Sequence, residues 1–289
     1  MSSTAQAPRL FVVGGSGFLG RTIVHWTLAQ GIDVDATYLN TAPLPGDLLA
    51  PKHWHHCDIL DVDRVTTLIE DLAPTAVINA AYRQRGDQAE EICSTGAENL
   101  ASAAAGVGAR IVHVSTDLVF DGDLGRPYRE DDPVSPITDY GRAKARAEEL
   151  VAAANPDSVS VRTSIIYGDH DAPQEQLVQK AVEHGEISFF TDEWRSPIHV
   201  QNLAAAVGAL ATEVPYTGIL HVAGDQRLDR LQFATLLAED MGLDPTVLSG
   251  VPGDPSIGPR SSDVTLDISR AIELGFDLPG PTAALDSTL

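Results

Sequence analysis

The sequence predicts an α/β fold built on a doubly wound parallel sheet, with a small lobe in its C-terminal part. Apolar runs of strand length alternate with segments of helical periodicity up to about residue 168, as in sheets with helices on both faces. A glycine-rich turn joins the first predicted strand to the first predicted helix. The length of 289 residues suffices for one large α/β domain and a smaller lobe.

The elements of the first part follow from these patterns. Strands are predicted near 9–13, 32–38, 53–57, 76–80, 110–115 and 158–163. Helices are predicted near 18–30, 62–72, 87–105 and 139–154. Residues 143–150 are strong helix formers, and we expect Asp139 to cap the start of that last helix.

The alternation is less regular beyond Gly168. Helices near 173–184, 201–212 and 229–241 are predicted there, with strands near 187–191 and 218–222. The stretch 249–262 is rich in Pro, Gly and Ser, so we expect a loop that faces a bound molecule rather than a linker.

Composition limits the classes of partner. The formal net charge of −22 argues against nucleic-acid binding, which needs a basic face, and against binding to anionic membranes. Two cysteines, Cys57 and Cys93, imply no disulfide framework. No apolar run approaches membrane-spanning length, and residues 1–7 lack a signal pattern. We therefore expect a cytoplasmic protein with a disordered tail over residues 1–7.

The glycine-rich turn predicts a dinucleotide cofactor. Gly14, Gly17 and Gly20 follow directly after the first strand and lead into a helix. This is the strand–turn–helix context in which glycines let the backbone approach a pyrophosphate at a helix N-terminus. The alternative is a tight turn that binds nothing.

A Tyr-x-x-x-Lys pair predicts acid–base chemistry. Tyr140 and Lys144 are four residues apart, so both side chains share one face of the predicted helix. An ammonium one turn away favours the phenolate and lowers the pKa of a tyrosine, which suits the phenol to proton transfer near neutral pH. The chain holds three lysines, so a chance pair is less expected than usual.

Together these residues resemble the extended short-chain dehydrogenase/reductases, whose fold is Rossmann-like. The runs 114–122, 125–133 and 161–168, together with 266–271 near the C-terminus, are similar to the dTDP-4-dehydrorhamnose reductase family. The resemblance implies an NAD(P)-binding domain over 8–168, to which later segments at about 187–222 return. It also implies that 169–289 form mainly a substrate-binding lobe.

The resemblance further implies the reaction. NAD(P)H would reduce the 4-keto group of a nucleotide-linked 6-deoxy sugar. The reaction that the resemblance favours is the reduction of dTDP-4-dehydrorhamnose to dTDP-rhamnose. Tyr140 would donate the proton, and Lys144 would hold the nicotinamide ribose and lower the pKa of Tyr140. Thr116 would hydrogen-bond the ketone. Thr116 could instead only satisfy backbone groups at a strand end, and the adjacent Ser115 could compete for its role.

Site residues carry over position by position. The expected cofactor-binding set is Gly14, Ser16, Gly17, Phe18, Leu19, Tyr38, Asp58, Ile59, Ala80, Ala81 and Tyr82, with Tyr140 and Lys144. The expected substrate-binding set is Thr116, Asp117, Val119, Phe120, Trp194, Arg195 and Arg260. For Asp58 a helix cap is an equal alternative to a cofactor contact.

Two departures from the family pattern concern the site. Cys93 stands where extended reductases commonly carry an asparagine. Residues 192–197, with Glu193 and Arg195, stand where the family has an Asp-Gln-x-Gly-x-Pro stretch that contacts the substrate. The identity of the sugar is therefore left open. Arg195 could hold a diphosphate or carboxylate in bidentate fashion, or be a solvated loop residue.

The run 53–58, His-Trp-His-His-Cys-Asp, could suggest a metal site. On a strand, His53, His55 and Cys57 would share one face. Adjacent residues of one strand rarely complete a tetrahedral site, so we favour a structural role and expect no metal.

Cofactor preference depends on the end of the second strand, where Asp or Glu repels a 2′-phosphate. By spacing Tyr38 takes that position, and Asp35 lies too early, inside the strand. We therefore expect NADPH to be preferred and NADH to be usable. Arg21 could reach the phosphate.

Other functions stay open. An epimerase or another 4-ketoreductase of the superfamily would use the same motifs. A non-catalytic NADP-binding module is also possible, because 195–200 is similar to the regulatory subunit of methionine adenosyltransferase. We expect a nucleotide-sugar partner, and a homodimer is possible.

Overall fold

The computed structural model describes residues 7–40, 42–43, 48–168, 172–253, 256 and 258–286. Residues 1–6 of the predicted tail and residues 254, 255 and 257 of the predicted 249–262 loop lie outside this part of the chain. Among the described residues, no helix is long and apolar enough to span a membrane.

In the described part of the chain, eight strands lie close to their predicted positions and five short strands were not predicted. They are β1 (Arg9–Val13), β2 (Asp33–Tyr38), β3 (Trp54–His56), β4 (Ala76–Asn79), β5 (Arg110–Thr116), β6 (Ser158–Thr163), β7 (Ile166–Tyr167), β8 (Ser188–Phe190), β9 (Trp194–Arg195), β10 (Ile198–His199), β11 (Gly218–His221), β12 (Leu228–Asp229) and β13 (Ser249–Val251). The last of these corrects the expectation that all of 249–262 is a loop, because β13 pairs in parallel with β8.

The helices are α1 (Phe18–Ala29), α2 (Val62–Leu72), α3 (Ala89–Cys93), α4 (Thr95–Gly106), α5 (Asp139–Ala154), α6 (Pro173–His184), α7 (Val200–Thr212), α8 (Arg230–Asp240), α9 (Ser269–Glu273) and α10 (Pro281–Asp286). The single helix predicted over 87–105 is broken at Ser94. Its hydroxyl donates to the Glu90 carbonyl at 2.7 Å, a bond that distorts helices, and its φ of −100° and ψ of −72° separate α3 from α4.

Seven strands form one sheet in the order β11-β6-β5-β4-β1-β2-β3. From β6 to β3 this is the strand order of doubly wound dinucleotide-binding folds, so the predicted fold class is confirmed. The pairs from β3 to β5 are parallel, as the run of buried apolar strands predicts. The carboxyl ends of these strands therefore share one edge of the sheet.

The chain divides into two compact units. The first comprises 1–115, 143–161 and 204–219, and the second comprises 116–142, 162–203 and 220–289. The predicted division at residue 168 places 116–142 with the cofactor-binding domain, whereas here they group with the second unit.

Each unit has its own core. In the first, apolar side chains of β1, β4 and β5 pack with those of α2 and α4, for example Phe11, Ile69 and Leu100. In the second, α6 and α8 pack around the fully buried Tyr167, with Phe233 at 5.4 Å between ring centroids. Rigid strands thus position the loops in which the predicted site residues lie.

Candidate active site

The glycine-rich turn in the first unit is closely packed. Gly14 has a φ of +80°, and a Cβ there would lie 2.8 Å from the Ala81 nitrogen. A Cβ on Gly20 would lie 2.1 Å from the Gly14 carbonyl oxygen. The Gly14 N–H donates to the Thr37 hydroxyl at 2.9 Å, which fixes the turn against the end of β2. No side chain but hydrogen fits at positions 14 and 20.

The start of α1 suits an anionic ligand. Gly17 is the N-cap, and no side chain caps the helix. No acidic side chain lies in its first turn, which the structure describes in full. The N–H groups and the positive end of the helix dipole are therefore available for a pyrophosphate. Ser16 and Phe18 are half-buried at this end, whereas Leu19 is buried.

The ends of β2 and β3 hold the next group of predicted cofactor residues. Tyr38 is half-buried and packs edge-on against His56, with 5.6 Å between ring centroids. Asp58 accepts from the Leu60 N–H at 3.0 Å, and the cap of α2 is Asp61, which accepts from Arg64. The helix-cap alternative for Asp58 is therefore wrong. Ile59 is buried, and its side chain lies in the core.

Two histidines of the run 53–58 contact the buried carboxylate of Asp35. Asp35 is buried in β2 and accepts from Arg9 at 2.9 Å, and its other oxygen lies 3.1 Å from His53 Nδ1 and 2.9 Å from His55 Nε2. Burial raises its pKa, but hydrogen bonds from His55, Arg9 and His53 outweigh burial and hold the pKa at about 2. In the part of the chain that the structure describes, no group of three or more His, Cys, Asp or Glu could hold a metal ion.

The turn after β4 carries Ala80, Ala81 and Tyr82. The Ala80 N–H donates to the Val13 carbonyl at 3.0 Å, and the Ala81 N–H donates to the Asn79 side-chain oxygen at 3.1 Å. The Tyr82 side chain is 63% exposed, so it is accessible to a ligand. These bonds hold the turn next to Gly14.

Helix α5 carries the Tyr140–Lys144 pair. Thr138, not Asp139, caps the helix, because its hydroxyl accepts from the Gly141 N–H at 3.0 Å and Asp139 is already helical. Gly141 is packed so closely on the turn after β5 that a Cβ would lie 2.1 Å from the Leu118 carbonyl. The half-buried Tyr140 lies in the first turn of the helix, beside the segment that starts at Thr116.

Lys144 lies one turn further along α5 and is fully buried in the first unit. Its Nζ donates to the Val114 carbonyl at 2.6 Å and lies 3.1 Å from His113 Nε2. Burial lowers the pKa of Lys144 to about 8, although Cys93 and Glu148 oppose this shift. Cys93, which stands at the family's asparagine position, donates to the Arg83 carbonyl at 3.3 Å.

Thr116 and Asp117 form a buried pair in the second unit. The Thr116 hydroxyl accepts from the Leu118 N–H at 3.2 Å and donates to Asp117 at 3.1 Å. Asp117 also accepts from Ser164 at 2.6 Å, and the Arg195 guanidinium lies 4.0 Å away. Burial raises the pKa of Asp117, while Arg195 and the hydrogen bonds lower it. The alternative that Thr116 satisfies a backbone group is therefore confirmed, and its role toward a ketone stays a prediction.

The segment 192–197, which departs from the family pattern, takes part in a network of ion pairs. Arg195 is buried and donates to the carbonyls of Trp194 at 2.8 Å and Ser261 at 3.1 Å. Glu193 pairs with Arg195 at 3.7 Å and with Arg260 at 2.8 Å. The solvated-loop alternative for Arg195 is therefore wrong. Arg260 is the more exposed of the two arginines, and it stacks on the Phe190 ring at 3.9 Å.

Three further predicted substrate residues differ in exposure. Val119 and Phe120 have no exposed surface, and Phe120 stacks on Tyr128 with 4.1 Å between centroids. Trp194 is half-buried, and the Arg227 guanidinium stacks on its ring at 3.6 Å. Of these three side chains, only Trp194 is accessible to a ligand.

Sequence reasoning missed His113 and Ser164. The only signal for His113 was a polar residue inside an otherwise apolar strand, and Ser164 lay unremarked in a matched motif. Both make buried or half-buried side-chain hydrogen bonds to predicted site residues.

Comparison with known proteins agrees with this geometry. The dTDP-4-dehydrorhamnose reductase of Mycobacterium tuberculosis is 33% identical over 272 residues, which cover 89% of this chain and 84% of that protein. Methionine adenosyltransferase 2 subunit beta of Xenopus tropicalis is 28% identical over 290 residues, which cover 94% and 84%.

The solved structure of a Bacillus anthracis dTDP-4-dehydrorhamnose reductase in complex with NADP has the same fold. Its TM-score is 0.80 at 24% identity, with 98% of each chain covered. The RmlD substrate binding domain family matches residues 8–287. The chain therefore belongs to the RmlD substrate binding domain family.

Proposed function

We propose that this protein is an NAD(P)H-dependent reductase of the 4-keto group of a nucleotide-linked 6-deoxy sugar, dTDP-4-dehydrorhamnose being the favoured substrate. The observation that carries the proposal is the buried Lys144 one turn after Tyr140 on α5, in a chain that is 33% identical to an enzyme of that name. Thr116 ends the neighbouring strand and completes the set.

The cofactor supplies a hydride when it is bound. Gly14, Gly17 and the uncapped start of α1 would hold its pyrophosphate, and Tyr82 would line the nicotinamide ribose. Lys144 would hold the ribose hydroxyls.

Tyr140 donates the proton to the alkoxide oxygen as it forms at C4. An ammonium on Lys144 stabilises the resulting phenolate and so lowers the pKa of Tyr140. Thr116 orients the ketone by a hydrogen bond from its hydroxyl. For this the hydroxyl must turn from Asp117, which accepts its hydrogen bond in the structure.

We expect the enzyme to prefer NADPH and to accept NADH with lower efficiency. Tyr38 stands where an acidic residue would repel the 2′-phosphate, and Asp35 is held inside the strand by Arg9, His53 and His55. NADP in the solved B. anthracis structure supports this choice. Steady-state kinetics with both cofactors test it. A hundredfold advantage of NADH in kcat/KM would contradict the role given to Tyr38.

The decisive experiment follows NADPH oxidation with dTDP-4-keto-6-deoxy sugars. We expect turnover with dTDP-4-dehydrorhamnose. Turnover only with a different 4-keto sugar nucleotide would reject the rhamnose assignment and keep the reductase. Stoichiometric NAD retained through purification would favour an epimerase.

One relative supports a second candidate, a non-catalytic NADP-binding regulatory subunit. The alignment with the Xenopus protein named above covers 94% of this chain. Capture of a synthetase partner with no oxidation of NADPH would favour it. The proposal also places the protein in the cytoplasm. A homodimer stays a prediction that analytical ultracentrifugation tests.

A further inference from the structure

A buried chain of hydrogen bonds joins the turn after β4 to Lys144 within the first unit. The Ala81 N–H donates to Asn79 Oδ1 at 3.1 Å, and Asn79 Nδ2 lies 3.1 Å from His113 Nδ1. His113 Nε2 then lies 3.1 Å from Lys144 Nζ, which donates to the Val114 carbonyl at 2.6 Å. The side chains of Asn79, His113 and Lys144 are each at most 1% exposed, so water does not complete these contacts.

The chemistry of the donors fixes the direction of this chain. A backbone N–H can only donate, so the oxygen of Asn79 must face Ala81 and its NH₂ must face His113. His113 Nδ1 is therefore an acceptor, and the proton of the neutral ring resides on Nε2. That N–H points at Lys144 Nζ, and only a neutral amine has a lone pair to accept it.

Every other arrangement places two donors against each other. The opposite tautomer of His113 sets its Nδ1–H against the Asn79 NH₂, and a flipped Asn79 amide sets the NH₂ against the Ala81 N–H. A charged Lys144 sets an ammonium against the His113 Nε2–H. A buried polar group without its partner costs roughly 1–3 kcal/mol, so this chain disfavours the ammonium of Lys144 relative to its neutral amine.

The charged and titratable groups around Lys144 do not remove this conflict. Cys93 on α3 and Glu148 on α5 favour the ammonium, yet the Glu148 carboxylate is engaged by the Ser115 hydroxyl at 2.5 Å. Burial lowers the pKa of His113 well below its ordinary value, so the ring is neutral.

We propose that Asn79 and His113 are positioning residues that disfavour the ammonium of Lys144 and favour its neutral amine in the protein without cofactor. For the reaction the consequence rests on the proposed function: a molecule whose Lys144 is neutral must take up one proton from solvent to bind the cofactor with an ammonium there. Cofactor affinity then falls as the pH rises through the pKa of Lys144.

The lysine count makes a direct test possible. Lysine labelled with ¹³C at Cε and ¹⁵N at Nζ gives signals from Lys52, Lys144 and Lys180 alone, and the signal lost in Lys144→Arg identifies Lys144. Lys52 and Lys180 are exposed and act as internal references. In the wild-type protein without cofactor, we expect Lys144 to titrate below both references. Titration together with them would overturn the proposal.

Two variants test the hydrogen-bond chain itself. Asn79→Asp reverses its direction, because a carboxylate accepts from His113 Nδ1–H and leaves the Nε2 lone pair for an ammonium. His113→Gln places a carbonyl oxygen near the Nε2 position with the same effect. Both should raise the pKa of Lys144 by about one unit or more. Unchanged values in both would mean that burial alone sets the pKa and would overturn the proposal.

His113→Gln adds no charge, so it separates the direction of the hydrogen-bond chain from added charge. A further control places a carboxylate elsewhere in the same unit. Asn99, whose amide donates to the Ile59 carbonyl at 3.0 Å, lies in the same unit but outside the chain. Asn99→Asp should leave the pKa of Lys144 unchanged, and a shift as large as that of Asn79→Asp would overturn the proposal.

The wild-type protein offers a test that no folding defect can affect. Two-bond ¹H–¹⁵N spectra of the imidazole that contacts labelled Lys144 should show the Nε2–H tautomer, and an Nδ1–H tautomer would overturn the proposal. None of these measurements uses substrate or cofactor. A failure of the reductase assignment would therefore be seen separately, in the turnover assay.

Discussion

At the scale of single residues, Tyr140 is the group on which the proposed reaction depends. Tyr140→Phe removes one hydroxyl from a half-buried side chain at the start of α5, so the fold and NADPH binding should persist. Turnover should fall by about 10²–10⁴-fold, as for other acid–base groups. Steady-state rates with a 4-keto sugar nucleotide, beside a fluorescence titration with NADPH, measure both effects.

The matched control is Tyr216→Phe. It also removes a tyrosine hydroxyl, one that donates to the Ile219 carbonyl at 2.7 Å, and it should leave turnover unchanged. A Tyr140→Phe enzyme with nearly wild-type rate would remove Tyr140 from the mechanism.

Asp35 is a residue whose contribution belongs to stability. Its folded pKa of about 2 lies below the ordinary 3.8, so the carboxylate stabilises the fold above about pH 4. This stability is lost as the pH falls from about 4 to about 2. Asp35→Asn should cost about 2 kcal/mol at pH 7 and progressively less over that range.

Urea unfolding at several pH values checks this expectation. Asp33→Asn on the same strand is the control, because that side chain is exposed and its loss should change little at any pH. A destabilisation by Asp35→Asn that is as large at pH 2 as at pH 7 would show that the ion pair with Arg9 and the hydrogen bonds with His53 and His55 are not its source.

At the scale of elements, the turn between β1 and α1 requires glycine for contact rather than for flexibility. Gly20→Ala directs a Cβ to 2.1 Å from the Gly14 carbonyl, so the turn must move. We expect a loss of about 1–3 kcal/mol in unfolding free energy, the usual cost of overpacking, and weaker NADPH binding.

Gly106→Ala is the same chemical change with the opposite expectation. Position 106 ends α4 and has no atom within 4 Å of a built Cβ, so alanine should stabilise the helix by about 0.5–1 kcal/mol. Denaturant midpoints of the two variants give the comparison. Equal midpoints would mean that the close contact at Gly20 is relieved at no cost.

Elements were predictable where the signals are local. Helix α6 begins with Pro173 and ends before Gly185 at a φ of +68°, and both ends agree with the sequence reading. The break at Ser94 was not predictable, because a serine inside a helical pattern does not reveal that its hydroxyl will bond back to Glu90. The cap of α5 was also predicted wrongly: the sequence indicates Asp139, and only the structure shows that the Thr138 hydroxyl accepts from the Gly141 N–H.

The site was predictable only in part, for a related reason. Spacing along one helix predicts that Tyr140 and Lys144 share a face. It cannot predict that Lys144 meets His113, 31 residues away, or that Asp117 meets Arg195. Those contacts arise from the sheet order and from loop paths, so the hydrogen-bond chain and the Glu193 network became visible only in the structure.

At the scale of the whole molecule, the feature with a testable effect on stability is the net negative charge. The chain carries 41 acidic against 19 basic side chains, and a net charge of −22 destabilises a compact state by self-repulsion. Salt screens this repulsion: raising ionic strength from 0.01 to 0.1 M shortens the Debye length from about 30 to about 10 Å. We therefore expect the melting temperature at pH 7 to rise over this range of NaCl.

The effect of charge can be separated from a general effect of salt by repeating the melts near the sequence pI of about 4.5, where the net charge approaches zero. Screening then has little repulsion to remove, so the rise should largely disappear, whereas exclusion of salt from the protein surface would persist at both pH values. A melting temperature at pH 7 that stays flat or falls with NaCl would mean that screened ion pairs, such as Arg126–Asp132 at 2.7 Å, outweigh the net repulsion.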